Sequence, residues 1–516
     1  MDENIDWQSS QEEQQLDEEE REQEQEGEEQ ESSQEQEVDN EAGKGGHYND
    51  RPTKRSKNCL DRISELPDSV LTYILSLLPT RDAVKTSALS KRWRHTWALI
   101  SSLIYLCNTH ESLSKFIEFV DATLILHRSS KISKFVLLLT SRDRLMDSKF
   151  QLWVHAAVIK EVEELSIKFN TFNYWLPQSL YLCNSLTKLS LSNCWIAPND
   201  STVDWRLLKH LTITNAPLEG GVLQKLLTGS PLLETLKLKN CKGFDQIDIN
   251  SQRLRRLVIN GYIYNSISDH RCLEISAPSL QSLEILGSMD MKKCRLKNVS
   301  SLFHASLTFY MSSMYDYSES DEEADFARVE DLRNMVRDLM ERVRHVQHIT
   351  IGTWIVQALS RCELDCLPSS ILMYKCLVLK IDLCEHELPG IASLLRSSPV
   401  LERLVIDLLL MPEDGQILHF EDMVFFGGKN YWTSKQDMFS QSLKIVEISG
   451  FSEFMPEFVR FVLHYAKALE KLVIKREIRF NEEHWVRYFG QDNFFKVVQQ
   501  LLSFPRSSAH AQILLL

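Results

Sequence analysis

The stretch LLETLKLKNC, residues 232–241, decides the fold. Leu236 and Leu238 bracket a single lysine, the period-two alternation of a strand with one greasy side and one wet side. Five near-copies surround it: VEELSIKFN at 162–170, SLTKLSLSNC at 185–194, LKHLTITNA at 208–216, LRRLVINGY at 254–262 and SLQSLEILG at 279–287. Aligned on Leu165, Leu189, Leu211, Leu236, Leu257 and Leu283, they recur at intervals of 24, 22, 25, 21 and 26 residues.

That period belongs to leucine-rich repeats, each a short strand with a helical or irregular return. One unit cannot bury its own apolar side, so neighbours stack into a solenoid. The expected fold is α/β, a small three-helix N-terminal module followed by a curved solenoid with parallel strands on the concave face. Lys188, Ser190, Thr212, Lys237 and Lys239 then face outward from the strands. The repeat degrades after residue 300. VQHITIGTW at 346–354, CLVLKIDLC at 376–384 and VLERLVIDLL at 400–409 keep strand character. Ahead of them Phe326, Val329, Leu332, Val336, Leu339 and Val343 lie three or four apart, which predicts an amphipathic return helix. SLKIVEISGF at 442–451, PEFVRFVLHYAKA at 456–468 and LEKLVIKRE at 469–477 predict a terminal strand, helix and strand.

Working outward to the N-terminus, SELPDSVLTYILSLLPTRDAVKTSALSKRWRHTWALI from Ser64 is dense in apolar residues at helical spacing. Pro67 suits a first helical position. Val70, Leu71, Ile74, Leu75 and Leu78 read as one helix face. Pro79 ends that helix. Thr80 is a candidate cap for a second helix carrying Ala83, Val84 and Ser87, and Ser90 for a third carrying Trp93 and Trp97. Three helices in about 40 residues make a unit too small to bury its apolar surface alone. Another polypeptide, or the rest of this chain, is expected to cover its greasy side.

Residues 1–50 hold 20 acids and 2 bases, whereas the whole chain carries −14, so the remaining body is close to neutral at +4. The acidic stretch has too few apolar residues to bury and almost no aromatics, so it reads as disordered, either a solubilising extension or an interaction arm. A near-neutral body argues against nucleic acid as partner, because phosphate binding needs a concentrated positive face. The basic cluster RPTKRSK at 51–57 fits a nuclear import signal, so nucleus or cytoplasm is expected. No signal-peptide pattern opens the chain and no run of about 18 apolar residues interrupts it, so no membrane role is expected. Eleven cysteines without a dense framework suit a reducing compartment.

Signatures of catalysis are absent: there is no G-x-x-x-x-G-K-[ST] loop, H-E-x-x-H or G-x-S-x-G. Cys362, Cys366, Cys376 and Cys384 do not follow zinc-ribbon spacing. Cys194 and Cys241 fall where leucine-rich repeats place a buried Asn or Cys. His95, His210, His348 and His464 are scattered without a sequence-evident partner. The expectation is a non-enzyme with no metal and no cofactor.

DRISELPDSVLTYILSLLPTRDAVKTSALSKRWRHTW, at 61–97, closely resembles the F-box of the plant F-box/leucine-rich-repeat family. The repeats look like those of the same family, and 442–477 is similar to its C-terminal FBD region. Residues 288–345 fit loosely, and the acidic tail lies outside the likeness. The resemblance implies an F-box that docks a Skp-type adaptor, and through it a cullin-RING ligase, while the repeats hold an unknown protein substrate. Carried onto this sequence, the docking positions are Leu66, Pro67, Val70, Leu71, Ile74, Leu75, Leu78 and Pro79, with Val84, Leu89 and Trp93 on the following helices. Trp97 is expected to fix the module to its linker. The adaptor account as a whole hangs on Leu71 and Leu75 being accessible: burial of both inside this same chain would overturn it. The implied division is a tail at 1–58, an F-box at 59–105, linker helices at 106–161, a solenoid at 162–440 with an irregular part around 310–345, and an FBD-like cap at 441–516. The alternative is a repeat scaffold or ligand sensor not coupled to ubiquitination.

Overall fold

The computed structural model describes residues 63, 66–107, 112–140, 144–170, 174–198, 203–219, 221–249, 251–263, 272–289, 293–311, 322–361, 371–381, 383–408, 432, 441–450, 455–475 and 499–516. The acidic tail, RPTKRSK, Cys362 and Cys366 lie outside them. From Leu66 onward the chain is one compact unit.

Its frame is a fifteen-stranded sheet in which every pairing is parallel. The strands are Ser102–Leu106, Lys134–Leu139, Glu164–Phe169, Lys188–Ser192, His210–Thr214, Thr235–Lys242, Arg256–Ile263, Ser282–Met289, His304–Met311, His348–Gly352, Cys376–Ile381, Arg403–Leu408, Ile445–Ser449, Lys471–Lys475 and Gln512–Leu515. They stack in chain order, as a leucine-rich-repeat solenoid requires. The leucines that phase the sequence repeat are the register of the sheet: Leu165 sits beside Leu189, Leu189 beside Leu211, Leu211 beside Leu236, and Leu236 beside Leu257, itself beside Leu283. All six are buried. Each contributes roughly 1.5–3 kcal/mol by leaving water.

The same ladder extends beyond the expected span. Leu103 pairs with Phe135 and Phe135 with Leu165, so the stretch read as linker helices, 106–161, contains a sheet strand at Lys134–Leu139. Its helices, Leu113–Leu126 and Arg144–Ile159, are the returns between strands. The strand His304–Met311 also joins, with Ala305 at the leucine position; a small side chain there hides the repeat from a leucine count. Leu332, Val336 and Leu339 on the helix Glu322–Arg342, and Val343 just beyond its end, are buried, so that helix packs as a return.

Behind the main sheet, Gln246–Asp248, Cys272–Ser276 and Lys293–Lys297 form a second parallel sheet. At the strand ends, Asn193, Asn215 and Asn240 adopt left-handed backbone, with φ of 58°, 49° and 49°. Asparagine tolerates this region better than other side-chain-bearing residues. Asn215 donates from its side-chain amide to Asn193 Oδ1 at 2.9 Å, and Asn193 donates to the Phe169 carbonyl at 2.5 Å, so the turn is stapled from one repeat to the next. Gly261 and Gly287 continue the turn with φ of 72°.

Cys194 and Cys241 are buried, and burial pushes their thiols up to about 12 and about 11. They are packing residues rather than nucleophiles.

Candidate functional site

The helical head begins at α1, Asp68–Ser76, with Pro67 as N-cap rather than first helical residue. Helix α2, Thr80–Lys85, follows, and then two 3₁₀ segments, Thr86–Ala88 and Trp93–Leu99. Thr80 is not the cap of α2. Its buried hydroxyl instead accepts the Ile104 N–H at 2.7 Å, on the first strand of the sheet. Nor does the third element become an α-helix capped by Ser90: Trp93–Leu99 winds as 3₁₀ and turns both Trp93 and Trp97 into the core. Arg92 closes the head by donating to Asp68 Oδ1 at 2.6 Å and to the Leu66 carbonyl at 2.5 Å, beside the start of α1.

The apolar residues of α1 fall on two faces, not one. Leu71 and Leu75 are 0% exposed, with Leu78 partly buried against the same core. This corrects the sequence expectation: Leu71, Leu75 and Trp93 are sealed inside this molecule and cannot meet a partner. At 100° per residue, Val70, Tyr73, Ile74 and Leu77 form an adjacent stripe. All four are exposed, Tyr73 by 66% and Leu77 by 65%. Leu89, after the first 3₁₀ turn, is 70% exposed. Of the expected positions, Pro67, Val70, Ile74 and Leu89 are therefore on the surface, while Leu66, Leu78, Pro79 and Val84 are half-buried. Tyr73 and Leu77 were missed, although their own spacing of four carries the signal.

The head is joined firmly to the repeats. Besides the Thr80–Ile104 bond, the Arg128 N–H donates to the Ala98 carbonyl at 2.7 Å. The His127 ring bonds the Ile100 carbonyl through Nε2 at 2.7 Å, and Lys160 donates to His127 Nδ1 at 2.9 Å. Burial holds the His127 imidazole below its ordinary value, against the Ile100 bond and together with the nearby Lys160 charge. Arg81 lies over the Phe119 ring, 5.1 Å from its centre.

On the strands Glu164–Phe169, Lys188–Ser192, His210–Thr214 and Thr235–Lys242, the side away from the core is partly or fully exposed. On four adjacent strands its registered rows read Glu164, Lys188, His210, Thr235; Ser166, Ser190, Thr212, Lys237; and Lys168, Ser192, Thr214, Lys239. Among the described residues no group of three or more His, Cys, Asp or Glu side chains could hold a metal, and no helix is long and apolar enough to cross a membrane.

Comparison with known proteins fits this division. Residues 63–105 match the F-box domain, and residues 123–485 match the family described as At1g61320/AtMIF1, LRR domain. The chain is similar to the putative F-box/LRR-repeat protein At3g18150 of Arabidopsis thaliana, 31% identical over 454 residues, which cover 86% of this chain and 91% of that one. It is also similar to the F-box/LRR-repeat protein At5g02910 of the same plant, 31% identical over 428 residues, covering 80% and 88%. With an F-box, a leucine-rich-repeat domain and relatives alike over most of their length, the chain belongs to the F-box/leucine-rich-repeat family.

Proposed function

We propose that this chain is the substrate-recruiting subunit of an SCF-type cullin-RING ubiquitin ligase, acting without catalysis of its own in the nucleus or cytoplasm. Its head docks a Skp-type adaptor through the outward stripe of α1, Val70, Tyr73, Ile74 and Leu77, with Leu89 beside it. Its repeats hold the target protein. The observation that carries this reading is that stripe: large apolar side chains, well exposed, on a module whose core is already filled by Leu71, Leu75 and Trp93. Exposed apolar patches of this kind mark interaction sites.

The burial of Leu71 and Leu75 fails the condition on which the sequence reading rested, so the proposal stands instead on family membership and on the exposed stripe beside them. Holding a target beside a charged ubiquitin carrier raises its effective concentration, so transfer accelerates through proximity. The hydrogen bonds joining head and sheet serve that purpose, because a stiff link fixes where the target is presented.

Co-purification with a Skp-type adaptor tests the proposal. Tyr73→Asp with Leu77→Asp is expected to abolish capture while the chain stays folded, since both substitutions are on the surface. Undiminished capture by this double variant would refute the docking face.

A further inference from the structure

We propose that the open face of the four strands from Glu164 to Lys242 binds an acidic, extended segment of the recruited protein, with acidic side chains about four residues apart. This deepens the recruitment reading, on which it rests for the claim that the occupant is a recruited protein.

The chain as a whole is acidic, yet this part of the sheet is not. Its outward rows carry Lys168, Lys188, Lys237 and Lys239 against one carboxylate, Glu164. Glu164 lies 3.9 Å from Lys188 and answers that charge alone. Further along the sheet, Arg256 is answered by Glu284 at 2.6 Å. Lys168, Lys237 and Lys239 make no ion pair among the described residues, and all three are exposed. Five hydroxyls lie between them: Ser166, Ser190, Ser192, Thr212 and Thr214. Ammonium groups and hydroxyls are donors, so the patch offers hydrogen bonds to carboxylates and supplies almost no acceptor charge of its own.

Geometry sets the spacing. Lys168 and Lys239 stand in the same row, three strands apart. Strands repeat at about 4.8 Å, which separates the two by roughly 14 Å. An extended peptide crossing the strands advances about 3.4 Å per residue, so carboxylates about four residues apart reach both. Nucleic acid fits less well, because these rows hold no Phe, Tyr or Trp for a base to stack on and His210 is their one ring. Neither do they present apolar area, which argues against a greasy helix as the occupant.

The full-length chain, co-expressed with a Skp-type adaptor, is titrated by fluorescence anisotropy against labelled peptides of about twelve residues in a Ser/Gly/Ala background. One carries glutamates about four residues apart, a second carries glutamine in their place, and a single-stranded oligonucleotide serves as the third probe. The spaced acidic peptide is expected to bind at least ~10-fold more tightly than the glutamine peptide, with affinity falling as salt rises. Lys237→Glu with Lys239→Glu removes that preference with thermal unfolding unchanged, and Lys237→Arg with Lys239→Arg retains it. Equal affinity for the two peptides, no binding of the acidic one, insensitivity to the charge reversal, or preference for the oligonucleotide would each overturn the inference. Adaptor capture is read in the same samples. Its loss with peptide binding intact indicts the docking reading, whereas intact capture with no acidic preference indicts this one alone.

Discussion

Thr80 accepts the Ile104 N–H at 2.7 Å through a hydroxyl with no exposure to water, so the second helix of the F-box and the first strand of the repeat sheet share one hydrogen bond. The donor would otherwise be a backbone group without a strand partner on that side. Thr80→Val keeps the shape and removes the acceptor, which is expected to cost about 1–3 kcal/mol in urea unfolding. Thr80→Ser should restore most of it. Equal stability of all three would show that the bond does not hold the joint.

Leu71, in the first turn of α1, and Leu77, its C-cap, are both leucines, yet one is core and the other surface. Leu71→Ala is expected to destabilise by about 2–5 kcal/mol through a cavity. Leu77→Ala should leave unfolding within about 0.5 kcal/mol of the parent and weaken adaptor capture. Paired measurement of melting and capture separates the roles; a stability loss from Leu77→Ala equal to that from Leu71→Ala would contradict the two-faced helix.

Gly261 and Gly221 share a left-handed φ, 72° and 75°, but differ in surroundings. A Cβ on Gly261 would fall 2.2 Å from Asn240 Oδ1, whereas one on Gly221 meets nothing within 4 Å. Gly221→Ala therefore carries backbone strain alone, about 1 kcal/mol. Gly261→Ala adds a clash with the asparagine turn and should be clearly the more damaging in chemical denaturation.

His127 gives the joint a pH dependence. Its imidazole is held below the ordinary value of 6.5, chiefly by burial. Because the folded value lies below the unfolded one, protonation favours the unfolded chain. Stability contributed by neutral His127 is complete above pH 6.5 and declines as pH falls from there toward the folded value, levelling below it. Unfolding midpoints measured from pH 8 to 5 should show this slope, and His127→Gln should flatten it.

The repeat was legible because its signal is the physics itself: Leu189, Leu211 and Leu236 are spaced by one circuit of the solenoid, and each circuit must return a leucine to the same buried row. The register is therefore countable in the sequence itself. His304–Met311 escaped because alanine occupies that row, and Lys134–Leu139 because its row holds phenylalanine in a stretch rich in helix formers. The outward polar rows were legible for the same reason of alternation. Their meaning was not, since the separation of Lys168 from Lys239 depends on strands 71 residues apart in sequence lying three places apart in the sheet.

The order of the strands and the ladder of leucines followed from the sequence alone, because periodic burial leaves its period in the residues, and the F-box followed from the resemblance of 61–97 to a known family. Which apolar residues of α1 face inward required the tertiary structure. Val70, Leu71, Ile74 and Leu75 are alike in chemistry, and a helix greasy on two adjacent sides does not say which one its own core takes. Trp93, Trp97 and the Thr80–Ile104 bond decide it by fixing how the helix is turned, which buries Leu71 and Leu75 and leaves Tyr73 and Leu77 to the surface.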